Sequence, residues 1–408
     1  MWKNAAWPAA TVVVVGIAIG ARGQATLPEG PTKTLVQEAC TKCHGVQRIV
    51  AAGYSRAGWA NVVAMMVNMG AKIPANQTSA IVDYLAKNFP EKAEPVAAII
   101  PGNVHVTIRE WLVPTPGSRP HDPLAMPDGS IWYTGQMANV VGRLDPQTGK
   151  IREYSLPANS GPHGLMADGN ANIWYTANFA GYIGKLDPRT GSVTKYPMPD
   201  AAARDPHTLL FDRNGTLWFT VQSGNFVGRL DPVTGTVKLV RLAHPRSLPY
   251  GMVINAQGTP FFDEFGANRI GRIDPATMAI YEYTLPDPSA RPRRIAMTSD
   301  GAIWYTDYAR GYLGRLDPAS GAVTEWASPS GPKSQPYGIA VIHDVIWYSE
   351  SGVRPNTIVR FDPVIKGFQS WAIPSGGDVV RNVSVTRDGN LAIACSGANR
   401  IGLVEIAR

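Results

Sequence analysis

VGRLDPQTG (141–149) returns as IGKLDPRTG (183–191), VGRLDPVTG (227–235), IGRIDPATM (270–278) and LGRLDPASG (313–321). Proline presets φ and a following glycine accepts positive φ, so Asp-Pro-x-Thr-Gly is a hairpin turn whose aspartate is structural. Before each turn stands a strand such as IWYT (131–134), LWFT (217–220) or IWYS (346–349), and after it one such as IREYSLP (151–157). Further upstream, Pro120-His121, Pro162-His163, Pro206-His207, Pro249-Tyr250, Pro292-Arg293, Pro336-Tyr337 and Val380-Arg381 recur every 42 to 44 residues. Four short strands at this period mean propeller blades, seven of them. The last repeat offers only RNVSVT, NLAIACS and RIGLVEI, while His105–Val113 (HVTIREWLV) reads as a strand with no repeat before it. The N-terminal strand is therefore expected to complete the final blade and remove the open sheet edges.

Composition agrees with many strands and turns. The 408 residues include 41 glycines and 34 prolines, with 44% hydrophobic and 17% charged residues, which argues against wholesale disorder. Three cysteines exclude a disulfide-stapled scaffold. The net charge of +7 comes from basic residues scattered singly, so no nucleic-acid footprint is indicated.

The first 25 residues, MWKNAAWPAATVVVVGIAIGARGQA, place Lys3 before an apolar run and end in Gly23-Gln24-Ala25. That is the layout of a signal peptide cleaved after Ala25, an uncleaved anchor being the alternative. The mature chain is expected in the periplasm and free of the membrane.

Cys40-Thr41-Lys42-Cys43-His44 is the attachment pattern of c-type haem. Two thiols at this spacing add to the vinyl groups, and the adjacent imidazole reaches the iron. Neither a thioredoxin-like context nor a second pair of zinc ligands is present. Helices are expected near 31–40, from an N-cap at Ser55 through Met69, and over 76–89. With these elements, residues 26–92 resemble a small mono-haem cytochrome c domain, followed by a linker at 93–104 and the propeller at 105–408. Such domains use a methionine as sixth ligand. Trp59, Val62, Val63, Met66 and Gly70 share one helical face, so Met66 is preferred and Met69 stands second. Met65 shares its side with Asn61, Asn68 and Lys72 and is expected to face water.

Two rings are expected around the propeller axis. The first is His121, His163, His207, Tyr250, Arg293, Tyr337 and Arg381. The second, three residues past each strand's tryptophan or its counterpart, is Gly135, Ala177, Val221, Glu264, Asp307, Glu350 and Cys395. Converging polar groups suggest a ligand funnel, and internal pairing, such as Arg293 with Glu264 or Asp307, is the alternative. Cys395 reads as a buried free thiol.

From about residue 105 onward, the blade motifs resemble the virginiamycin B lyase family. That resemblance implies Mg²⁺-dependent opening of cyclic depsipeptides by C–O cleavage. Carried over, the catalytic histidine is His207, its acidic partner Asp205, the histidine one blade back His163 and the tyrosine one blade on Tyr250. The family's remaining glutamate falls on Gln222, which can neither charge-balance a hard cation nor shuttle a proton. The sequence thus offers two functions. One is an exported cytochrome carrying a single covalent haem c, its propeller binding a redox partner protein or a small-molecule substrate. The other is a lyase with an appended haem domain.

Overall fold

The computed structural model describes residues 26–407; the expected signal segment lies outside the described residues. Four helices come first: α1 (Lys33–Cys40), α2 (Gln47–Val50), α3 (Arg56–Asn68) and α4 (Ala75–Asn88). Ser55 caps α3, its hydroxyl accepting from the Gly58 amide at 3.1 Å. A core of Val36, Ile49, Trp59, Val63, Ile81 and Leu85 binds the helices, and the Trp59 indole donates to the Phe89 carbonyl at 2.8 Å. Among the described residues no helix is long and apolar enough to cross a membrane.

The remainder is seven four-stranded antiparallel sheets arranged as a propeller. In blade 1 the strands run Pro120–Ala125, Ile131–Gly135, Val140–Leu144 and Ile151–Ser155, innermost to outermost. The second strand is wholly buried and the outer strand alternates, as a blade edge facing water must. The Tyr133 ring lies over Gly142 of the third strand, where an added Cβ would sit 2.0 Å from the ring. This close approach explains the glycine of the VGRL motif. The Asp-Pro-x-Thr-Gly aspartates are structural: Asp145 accepts from the Gln147 amide at 2.9 Å and the Thr148 hydroxyl at 2.8 Å. The seventh sheet joins Val380–Val385, Leu391–Cys395 and Arg400–Ile406 to Val106–Leu112, which runs antiparallel with Val106 opposite Ile406. Cys395 is fully buried and unpaired.

Hydroxyls tie neighbouring blades together near the axis. Thr134 accepts from the Asp122 amide and donates to the His163 carbonyl of the next blade at 2.7 Å. Thr176, Thr220, Thr306 and Ser349 repeat the bracket to the carbonyls of His207, Tyr250, Tyr337 and Val380. Blade 4 has Asp263 at this position, where it accepts from the Gly251 amide.

Two expectations need correction. Residues 93–104 are no loose linker. The Arg354 amide donates to Pro95, and Ser370 bonds both Ala98 and Ile100, so the segment is strapped along the outer side of blade 6. An extended, proline-broken segment has free backbone groups, and a blade edge can pair with them. Nor does the Met65 side of α3 face water. Asn61 donates to the Gly397 carbonyl and Asn68 to the Pro116 carbonyl, each at 2.9 Å, and Gly117 packs on the Met65 backbone. The polar stripe is a docking face because its carboxamides satisfy loop carbonyls of blades 7 and 1.

Candidate functional site at the mouth of the propeller tunnel

Each innermost strand carries an irregularity directly after its leading residue, in blade 1 between Pro120 and Pro123, and the same slip occurs in all seven blades. Two consecutive side chains are thereby presented to the middle of the wheel. The first ring is assembled as the sequence reading expects on its histidine side. Ring centroids are 3.7 Å apart for His121 and His163, 3.6 Å for His163 and His207, and 3.8 Å for His207 and Tyr250. The Tyr250 and Tyr337 hydroxyls share a very short hydrogen bond. Arg293 is enclosed by aromatic faces, 4.0 Å from the Tyr337 centroid, 4.1 Å from Tyr308, 4.5 Å from Phe265 and 5.4 Å from Tyr250.

The expected second ring is not at the axis. Asp307 binds Arg310, which also reaches Asp287 and Glu325. Glu350 accepts from Ser328, Ser330 and Thr357. Glu264 lies beside Glu282, and burial and then that neighbour raise its carboxyl to about 7. Asp307 and Glu350 brace loops and blades, neither Glu264 oxygen has a hydrogen-bond partner, and Arg293 pairs with none of the three. The true second layer is the residue after each first-ring position: Asp122, Gly164, Thr208, Gly251, Arg294, Gly338 and Asn382. Asp122 and Arg294 form a buried ion pair of 2.8 Å, and Asp122 also meets His121 Nδ1 at 2.9 Å. The intervening glycines are sterically required, since a Cβ at Gly164 would stand 2.7 Å from the His207 carbonyl oxygen and one at Gly338 2.9 Å from Asn382 Cα. The readable signal was the third letter of PHD, PHG, PHT, PYG, PRR, PYG and VRN.

Burial governs the electrostatics. It pushes His121, His163 and His207 well below the usual imidazole range, and Arg294 reinforces this at all three and Arg381 at His121 and His163. Burial alone would raise the Tyr337 phenol, but Arg293, Arg381 and Arg294 outweigh it and bring it down to about 8. Burial also drives Asp263 well above the usual carboxylate range.

His163, His207 and Tyr250 are therefore brought together, whereas Asp205 is not part of the set. Its two carboxylate oxygens accept from the Ser223 and Gly224 amides and fasten a turn. His121, Asp122 and His163 place three potential ligand atoms within 4.8 Å of one another. This donor set does not suit Mg²⁺, which demands oxygen ligands. Its single carboxylate is already held by Arg294, and the surrounding guanidiniums oppose a cation.

On the helical side, Cys40 is half-buried against the core, Cys43 is exposed, and both are free thiols. His44 is half-buried, its Nδ1 3.3 Å from the Gly45 carbonyl. Two unpaired thiols and an adjoining imidazole suit covalent attachment of haem c. The α3 stripe divides: Trp59 and Val63 enter the helical core, while Val62 and Met66 line a cavity of about 450 Å³ between α3 and the tunnel mouth. Met69, at the helix end, is 42% exposed.

The family model described as "Virginiamycin B lyase family" matches residues 92–352. A streptogramin B lyase structure is 28% identical with a TM-score of 0.68, covering 74% of this chain and 98% of that one. A catalytically inactive virginiamycin B lyase from Staphylococcus aureus with quinupristin is 24% identical with a TM-score of 0.67, covering 74% and 100%. Hydrazine synthase of Kuenenia stuttgartiensis shares the fold alone, at 15% identity and a TM-score of 0.59, covering 71% and 96%. No curated protein matches the chain.

Proposed function

The chain belongs to the virginiamycin B lyase family, and on that premise we propose that its tunnel mouth performs a lyase-type elimination. A substrate seated between the propeller and α3 would lose a proton from carbon to His207. The C–H electron pair would form a C=C bond, and the neighbouring C–O bond would break with its oxygen leaving. The observation that carries this reading is the packed row His121, His163, His207 and Tyr250, whose imidazoles burial keeps unprotonated, as a general base requires. His163 packs against the base at a tilt and orients it, and Tyr250 supplies the adjoining hydroxyl. Asp205 serves the turn, and no step is assigned to a metal.

Quinupristin, the compound named in the related structure, is the first substrate to try, with and without Mg²⁺. Ring opening seen by mass spectrometry, and lost in His207→Ala, is the expected result. An intact ring under all conditions, or full activity in His207→Ala, overturns it.

The attachment pattern Cys40-Thr41-Lys42-Cys43-His44 favours a second reading beside the first. Residues 1–25 would direct export to the periplasm, the Cys40 and Cys43 thiols would hold one haem c, and His44 with Met66, or Met69 in its place, would bind its iron. Bound there, haem supplies one-electron transfer to a redox partner protein or a small molecule at the mouth. Protein made with a working haem-maturation system should show a Soret band that Cys40→Ser/Cys43→Ser lacks. Colourless wild-type protein overturns this reading and leaves the lyase reading intact.

A further inference from the structure

Four guanidiniums, Arg119, Arg293 and Arg381 at the tunnel mouth and Arg294 in the layer beneath, are unequally compensated. Arg294 has Asp122, and Arg293 has its aromatic cage. Arg119 and Arg381 form no ion pair among the described residues. Arg119 meets only the neutral Gln136, with one side-chain donor at 3.1 Å, and the buried Arg381 Nε has no hydrogen-bond partner. Both line the 450 Å³ cavity beneath α3. The acidic residues on the same wall are committed elsewhere, since Asp378 pairs with Arg354 at 2.5 Å and Glu94 lies 3.6 Å from the same guanidinium. The opposite wall, on α3, is apolar at Val62, Met65 and Met66. Buried charges require partners, and two adjacent like charges require one more than most. Arg119 is already lowered to about 9, by burial and then by Arg381.

We propose that this cavity is a binding site for a carboxylate-bearing ligand. The carboxylate is held between Arg119 and Arg381, and the apolar body lies against Met65 and Met66. Paired guanidiniums match a carboxylate's two oxygens, and the thioethers adapt to a flat apolar group. The inference concerns binding, so it holds or fails independently of turnover. The carboxylate could belong to a free small molecule or to a haem propionate of the same chain, and one experiment separates these sources.

Benzoate and its neutral isostere benzamide are titrated calorimetrically into the full chain, both haem-loaded and as Cys40→Ser/Cys43→Ser. Benzoate should bind at least one form and exceed benzamide by roughly tenfold, with a similar loss in Arg381→Gln and in Arg119→Gln. Binding to both forms assigns the site to a free ligand. Binding to the haem-free form alone assigns it to the propionate. Equal affinity for benzoate and benzamide, benzoate bound by neither form, or unchanged benzoate affinity in both arginine variants overturns the proposal. Thermal melts guard against misfolding: relieved of like-charge repulsion, Arg381→Gln without ligand should melt no lower than wild type, yet lose the upward shift that benzoate gives. A wild type that benzoate does not shift also counts against the site.

Discussion

Asp122 is the carboxylate on which the tunnel floor depends, because it neutralises Arg294 where neither group reaches water. Removing one partner of such a pair leaves a buried charge, so Asp122→Ala should cost about 3–5 kcal/mol in chemical denaturation. Asp122→Asn combined with Arg294→Met should cost far less than that single change. Tyr337 offers a spectroscopic handle. Its pull down to about 8 predicts tyrosinate absorbance appearing near that pH, and Arg293→Gln should move the onset upward. The three buried histidines make a stability prediction. Their folded values lie below the unfolded one, so the unfolded chain binds more protons at acid pH. Their stability is complete above about pH 6.5 and falls below it, by as much as ~4 kcal/mol per pH unit if all three resist protonation. Denaturant midpoints measured at falling pH check this, and a flat profile would count against neutral imidazoles.

At the scale of the strand, the hydroxyl bracket between blades has two substituted members, Asp263 in blade 4 and Ala394 in blade 7, where Ser396 donates to the Pro120 carbonyl instead. Thr134, Thr176, Thr220, Thr306 and Ser349 each donate to the next blade, but Asp263 can donate only when protonated. Its carboxyl is raised, so its contribution is present at low pH and is lost as pH rises through the folded value. Asp263→Thr should therefore stabilise the protein by about 1–2 kcal/mol at neutral pH and by less in acid, as denaturation at the two pH values would show. Much of this architecture was legible in the letters. The Asp-Pro-x-Thr-Gly turns and the proline-led pairs mark the blades, and the order of His121, His163, His207 and Tyr250 already implied a row. The bracket was not legible, because the threonine of IWYT looks like any β-branched strand residue until the neighbouring carbonyl is in place. The second axial layer was missed for a related reason. A strict two-residue alternation hides Asp122 and Arg294, and only the irregularity after Pro120 and its counterparts turns both consecutive side chains inward. Asp205 stood beside His207 in sequence, yet its bonds run to backbone amides.

Across the whole molecule, the helical unit sits over loops of blades 7 and 1, on the side of the wheel where Arg119 and Arg381 line a cavity. Arg354 gathers Glu91 and Asp378, joining the strap to the loops of blade 7, while Asn61 and Asn68 hold α3 down. The double change Asn61→Ala/Asn68→Ala should speed proteolytic cleavage between the helices and the propeller several-fold. It should leave the melting of the propeller itself unchanged, since half-buried carboxamide bonds at its loops contribute about 1 kcal/mol each. Equal cleavage rates would mean the strap alone fixes α3. The amphipathic pattern of α3 could not reveal this contact, because a stripe of asparagines reads the same whether it meets water or loop carbonyls.

The alternation of bulky and minimal residues around the floor of the tunnel has a consequence in parity. Asp122, Thr208, Arg294 and Asn382 occupy the odd positions, and Gly164, Gly251 and Gly338 the even ones. An odd-membered circle cannot alternate without a fault, so two large members, Asn382 and Asp122, must stand side by side. That fault falls at the junction of the last blade with the first, where the two ends of the propeller chain share a sheet. A wheel rebuilt with six or eight members would have no such fault. It would also lose the adjacency through which the Asn382 amide helps hold Asp122 ionised against its burial.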